Sequence, residues 1–218
     1  AKGEIETAIK GCFPLHPVST FILPRLSERI AQNERTLFTF LSAEGAATLA
    51  AFLDNYQNDF SLVTPDLIYD YFEPLFKKEV YSGEIHDTFM LSSAILNQLP
   101  DNTLGSKIIK TISLIYILEQ FERLNPTKEQ IIGIYSGSYD LGEIEQAISE
   151  LIDKEYVIYI KRSNDYLRLK HTSGVDIQQK IHDLMEIRSG RVAAKDILNA
   201  SNFDNYMYPS RYNEEHEM

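Results

Sequence analysis

Four cations lie close together in the last third of the chain: Lys161, Arg162, Arg168 and Lys170, with only Asp165 against them. Side chains so placed can neutralise phosphates or meet an acidic partner. The plainer reading is of strand edges whose charge discourages edge-to-edge pairing. A second cationic pair, Arg25 and Arg29, falls one helical turn apart on one face. Other chemistry is sparse. His16, His86, His171, His182 and His216 lack the spacing of a metal site, and one cysteine cannot assist them, so no metal is expected. Cys12, beside Phe13 and Pro14, reads as a small buried apolar residue rather than a nucleophile. No Gly-x-Ser-x-Gly elbow occurs, and Gly133 to Gly142 lacks the Lys-Ser/Thr ending of a phosphate-binding loop. By itself the chain is expected neither to catalyse nor to hold a nucleotide.

The cationic cluster sits at the end of three helical periods. Ile108, Ile112, Ile115 and Leu118 form the apolar stripe of a helix over about 106 to 123, stopped by Asn125-Pro126. Thr127 with Gln130 makes a capping box for a second helix whose inner face is Ile131, Ile132 and Tyr135. Gly137 and Ser138 turn the chain. Asp140 with Glu143 caps a third, with Leu141, Ile144, Ile148 and Leu151 on one side. Tyr156 to Ile160 and Tyr166 to Leu169 then alternate around Ser163-Asn164-Asp165, the pattern of a hairpin. That order predicts a winged helix-turn-helix. In a DNA-reading member the third helix enters the major groove. Here it carries Asp140, Glu143, Glu145, Glu150 and Asp153 with no lysine or arginine, so it would approach phosphates against its own field.

The region before it reads as about five helices. Gly11 to Pro17 is an extended entry, because its prolines restrict the residues before them. Pro17 opens a helix to about residue 31, in which Pro24 forces a kink or a split. Asn33 caps a helix whose Leu37, Phe38 and Leu41 face inward. A small-residue helix covers Ser42 to Asn55, Thr64-Pro65 opens another over Asp66 to Phe72, and a last one runs from Ser82-Gly83 to Leu99. The predicted architecture is mainly α: a helical bundle over 1–103, a winged helix with a small hairpin over 104–170, and a helical extension over 171–218.

The chain has 218 residues and a hydrophobic share of 44%, enough for compact domains. Its net charge of -11 is uneven, with 7 basic and 14 acidic side chains over 1–103, 9 and 10 over 104–170, and 5 and 8 over 171–218. No segment is basic enough to be a nucleic-acid domain by charge. The lone cysteine fits a reducing cytoplasm, and no apolar run approaches a membrane span. The start at Ala1 and the stop at Met218 without a terminating signal are read as marks of a longer polypeptide.

Phe13 to Leu41, FPLHPVSTFILPRLSERIAQNERTLFTFL, resembles a segment of large bacterial P-loop ATPases, among them the AAA-like ATPases of BREX-type phage-exclusion systems. Tyr208 to Met218, YPSRYNEEHEM, is similar to a second segment of those proteins. The two cover about 40 of 218 residues. The resemblance implies an upstream nucleotide core binding ATP and Mg, then a helical lid, then a winged helix, of which this chain supplies the last two. It implies that Arg35, the arginine of the Asn-Glu-Arg-Thr motif, is a lid arginine reaching the phosphates, with His16, Arg25 and Arg29 as further nucleotide-proximal candidates. It also implies partners: the upstream core, and other defence-system proteins. The reading from sequence is a non-catalytic lid and winged-helix piece of such an ATPase, with phage defence as its setting. The alternatives are a winged-helix nucleic-acid-binding module of a regulator or replication-initiation protein, and a protein-interaction scaffold.

Overall fold

A computed structural model of the chain describes residues 10–31, 34–42, 45–55, 61–78, 83–160 and 165–170. The chain divides into two units, Ala1–Thr172 and Ser173–Met218, and every described residue lies in the first. The helical extension expected over 171–218 lies outside the described residues. What is described is mainly helical, with eight helices and one small antiparallel sheet. No described helix is long and apolar enough to cross a membrane.

The helices are α1 (Pro17–Leu26), α2 (Glu34–Ser42), α3 (Leu49–Asn55), α4 (Pro65–Phe76), α5 (Glu84–Leu96), α6 (Leu104–Leu118), α7 (Lys128–Tyr135) and α8 (Leu141–Asp153). Strands β1 (Val157–Tyr159) and β2 (Leu167–Leu169) follow, pairing Val157 with Leu169, Ile158 with Arg168 and Tyr159 with Leu167. Helix α6 is the centre. Ten of its residues are buried, among them Ile108, Ile109, Ile112, Leu114, Ile115, Ile117 and Leu118, so it is apolar nearly all round. It packs against α4 and α5, and also against α8 and β2. Positions 103 and 104 are its N-cap and first residue.

Helix α6 ends at Leu118, the last residue of its apolar stripe and short of the predicted end at about 123. Glu119 closes it in the left-handed conformation at φ 55°, and Gln120 to Asn125 form turns before Pro126. Thr127 caps α7, Gln130 N donating to Thr127 Oγ1 at 3.2 Å, which is one half of the expected capping box, and Ile134 joins Ile131 and Tyr135 in the core with Ile132 partly buried against it. At α8 the Asp140 amide donates to Glu143 Oε2 at 3.1 Å. Leu141, expected inward, is 57% exposed. It stands at the first helical position, and packing begins one turn later at Ile144. In the hairpin Val157, Leu167 and Leu169 face the core, while the turn at 161–164 lies outside the described residues.

The amino-terminal helices differ more from expectation. The entry is a turn, Leu15 N donating to Cys12 O at 2.8 Å across a cis Phe13–Pro14 bond, and Leu15 then bridges Val63. Pro24 has no amide for the carbonyl one turn back, and the helix continues without a split into a π-helical turn, Ser27–Ala31. In α2 Leu37 packs partly buried against the core as expected, and Phe40 joins it, fully buried and edge-on to Tyr71 at 5.1 Å, whereas Phe38 is 60% exposed and Leu41 is exposed too. The expected helix over Ser42 to Asn55 starts only at Leu49, where Thr48 Oγ1 accepts from Ala51 N. Helix α4 runs on to Phe76, and α5 stops at Leu96, short of Pro100.

One polar group is fully enclosed by this packing. The Tyr135 hydroxyl meets Thr111 Oγ1 at 2.7 Å and donates to Lys107 O at 2.9 Å or Asp66 Oδ1 at 3.3 Å, tying α7 to α6 and α4. Burial pushes its ionisation well above the ordinary tyrosine range. Tyr135→Phe leaves these groups without that partner, so unfolding free energy should fall by about 1–3 kcal/mol in a urea titration. A loss under about 0.5 kcal/mol would place the hydroxyl among ordinary surface groups.

Candidate functional site

The amino-terminal candidates are placed by α1 and the π-helical turn, and most are held by the protein. His16 is the N-cap of α1: Val18 N donates to His16 Nδ1 at 3.1 Å. Burial holds its pKa below the ordinary histidine value, opposed by a hydrogen bond with the Gly133 backbone. Arg25 donates to Phe21 O at 2.9 Å, and its guanidinium lies 3.8 Å from the centre of the Phe21 ring. Arg29 reaches the far end of α6, donating to Leu118 O at 3.2 Å and pairing with Glu119 Oε2 at 2.5 Å. That hydrogen bond, with a second from Glu84, holds the Glu119 carboxyl below the usual range. A cation on the last carbonyls of a helix is also favoured by the negative end of its dipole. Arg35 lies in the first turn of α2, and its side chain lies outside the described structure, as does Asn33.

A cleft of about 910 Å³ beside these residues is lined by Arg25, Arg123, Glu28, Glu119 and Glu122, with Phe121 on one wall. With Glu119 already paired to Arg29, its charges balance, and it has no excess of cations for a polyphosphate.

The hairpin cations separate as well. Lys170 Nζ pairs with Glu155 Oε2 at 2.6 Å. Arg168 is exposed opposite Ile158, on the side of the hairpin away from Leu167 and Leu169. Lys161 and Arg162 lie outside the described residues. On α8, Glu143, Glu150 and Asp153 are exposed, while Glu145 pairs with Lys128 at 2.7 Å. Gln146 donates to Glu150 Oε1 at 2.9 Å. Residues 140, 143, 146, 150 and 153 recur every three or four positions and so form one outward stripe.

The structure also assembles a polar cluster that was not singled out from sequence. Asp66 and Asp70 on α4, Lys107 and Lys110 on α6, and Tyr135 and Tyr139 around α7 meet beside two clefts of about 350 and 310 Å³. Asp70 pairs with Lys110 at 2.6 Å, and burial pushes its carboxyl upward against that contact. Lys107 Nζ donates to Tyr139 OH at 3.1 Å. The signal available in the sequence was three pairs of polar residues, spaced three or four apart, on helices whose other faces are apolar.

No protein-family model, curated protein or solved structure matches this chain. Function must then be read from the residues. Among the described residues no group of three His, Cys, Asp or Glu side chains could hold a metal ion.

The cap at His16 has a pH consequence. Its folded pKa is depressed, so the unfolded chain takes up the proton first, and stability falls as pH drops through about 6.5 toward the folded value. His16→Asn keeps a cap acceptor but cannot titrate. Its melting temperature should change less than that of the parent chain between neutral and mildly acid pH. Identical pH profiles would show that His16 titrates alike in both states.

Proposed function

We propose that this chain is a lid-like helical bundle followed by a winged helix, from a bacterial AAA-like ATPase, and that it acts through protein contacts rather than by catalysis. The observation that carries the contact mode is the outward stripe of α8. The helix that would lie in the major groove of a DNA reader presents Glu143, Glu150 and Asp153 to solvent and has no basic residue between Asp140 and Asp153. The winged-helix reading is supported by the order α6, α7, α8, β1, β2 around one core, with capping contacts at Thr127 and at Asp140. The ATPase setting rests on the resemblance of Phe13 to Leu41. Phage defence rests there too, as do an upstream P-loop core with its ATP and Mg and other defence-system proteins as partners. Membership of that ATPase class predicts a phosphate-binding loop in the reading frame upstream of Ala1.

Arg35 remains the proposed lid arginine. It lies in the first turn of α2. In the full-length parent, Arg35→Ala should lower steady-state ATP turnover with thermal melting unchanged, because a charge used mainly in the transition state affects turnover more than affinity. Equal turnover at equal folding would withdraw the role. The isolated chain should give no micromolar heat of binding with MgATP, since it has no loop to cradle phosphates.

The exposed Arg168 favours a second, weaker reading, contact with nucleic acid through the hairpin. Such binding should be insensitive to sequence and steeply salt-dependent, because phosphate contacts carry no base information. Fluorescence anisotropy with a labelled duplex should detect it only at low salt, and Arg168→Glu with Lys161→Glu and Arg162→Glu should abolish it. Tight, sequence-selective binding that survives those changes would replace the protein-contact reading with the regulator alternative.

A further inference from the structure

We propose that the cleft beside Asp66 is a binding site for a guanidinium group, carried by a free amino acid or by a partner's arginine side chain. Asp66 is only 9% exposed, and no cation is paired with it among the described residues. Its Oδ1 accepts from Thr64 Oγ1 at 2.5 Å, and from Tyr135 OH at 3.3 Å. The tyrosine has one proton, which the nearer Lys107 O at 2.9 Å also claims, so the carboxylate has one firm donor. Both contacts are at Oδ1. The other oxygen has no donor among the described residues.

The Asp66 Oδ2 is open to solvent rather than sealed, so the largely enclosed carboxylate offers a cation one accessible oxygen. The cleft into which Asp66 opens measures about 350 Å³, within the range of small-ligand sites. Its wall adds acceptors: the Asp70 carboxyl one turn along α4, the Ser138 hydroxyl and the Asn102 amide oxygen. A guanidinium presents several N–H donors in a planar fork and keeps its charge at all working pH, so it can serve Asp66 Oδ2 and a neighbouring acceptor together. Lys107 lines the same cleft, its ammonium donating to Tyr139 OH. This site is independent of the proposed ATPase setting.

The test is calorimetric titration of the whole 218-residue chain with L-arginine, with its neutral isostere L-citrulline, and with a blocked Gly-Arg-Gly peptide. L-arginine or the peptide should bind saturably and citrulline at least about tenfold more weakly, and the tighter of the two cations identifies the source. Asp66→Asn keeps an oxygen for Thr64 and Tyr135 but removes the charge, and should weaken binding by about tenfold or more. If that variant fails to fold by circular dichroism, Tyr139→Phe at the cleft wall should still weaken it several-fold. No saturable binding, equal binding of arginine and citrulline, or unchanged affinity in the folded Asp66→Asn variant would overturn the proposal. Those outcomes would mean that the hydrogen bonds from Thr64 and Tyr135 and the amino-terminal dipole of α4 suffice to compensate Asp66.

Discussion

An apolar helix with almost no polar side must be covered from several directions, and Leu104–Leu118 meets that demand with two sets of neighbours. Helices α4 and α5 cover one part, and α8 with β2 covers another. Each isoleucine removed from water contributes about 1.5–3 kcal/mol, so the five in α6 outweigh any single surface contact in the molecule. Neither set of neighbours can be stripped away without exposing them. The ends of α6 are fixed by polar means. Thr103 Oγ1 accepts from Ser106 N at 3.3 Å, and Arg29 holds the Leu118 carbonyl and the Glu119 carboxylate.

The same packing decides which charges are left for partners. Arg25 is spent on Phe21, Arg29 on the α6 terminus, Lys110 on Asp70, Lys128 on Glu145 and Lys170 on Glu155. Exposed pairs of this kind add little stability, but they remove cations that a phosphate would need. Among the described residues no cation pairs with Glu143, Glu150 or Asp153 on the outer face of α8, and this asymmetry underlies the proposed protein-contact role. The Asp66 cluster is different in kind. Its groups are enclosed between helices, where each missing partner matters more than at the surface.

Elements whose signals are local were legible in the sequence. Thr127 with Gln130, Asp140 with Glu143, and Pro17 and Pro65 at first helical positions each act within one turn, and the structure places them so. Features set by distant contacts were not. The apolar run in α2 could present Phe38 and Leu41 or Phe40, and Tyr71 on α4 selects Phe40. The helix expected to run to about 123 ends at Leu118, and Phe121 packs on Tyr116 from a turn, at 5.2 Å. Arg29 shows the same limit. Its spacing from Arg25 pointed to a shared functional face, but its partner lies 90 residues away, at Glu119. The cleft at Asp66 depends on residues from three helices, which no single stretch of sequence brings together.

The central claim is that α6 joins the amino-terminal helices and the α7–α8–hairpin region into one cooperative unit. Native-state amide hydrogen exchange on the parent chain and on Ile112→Ala measures this directly. The account predicts that α6 amides exchange slowest. It also predicts that the substitution, costing about 2–5 kcal/mol, lowers protection in α4 and in α8 by the same amount. Protection lost on one side of α6 and retained on the other would contradict it, showing two units that unfold independently.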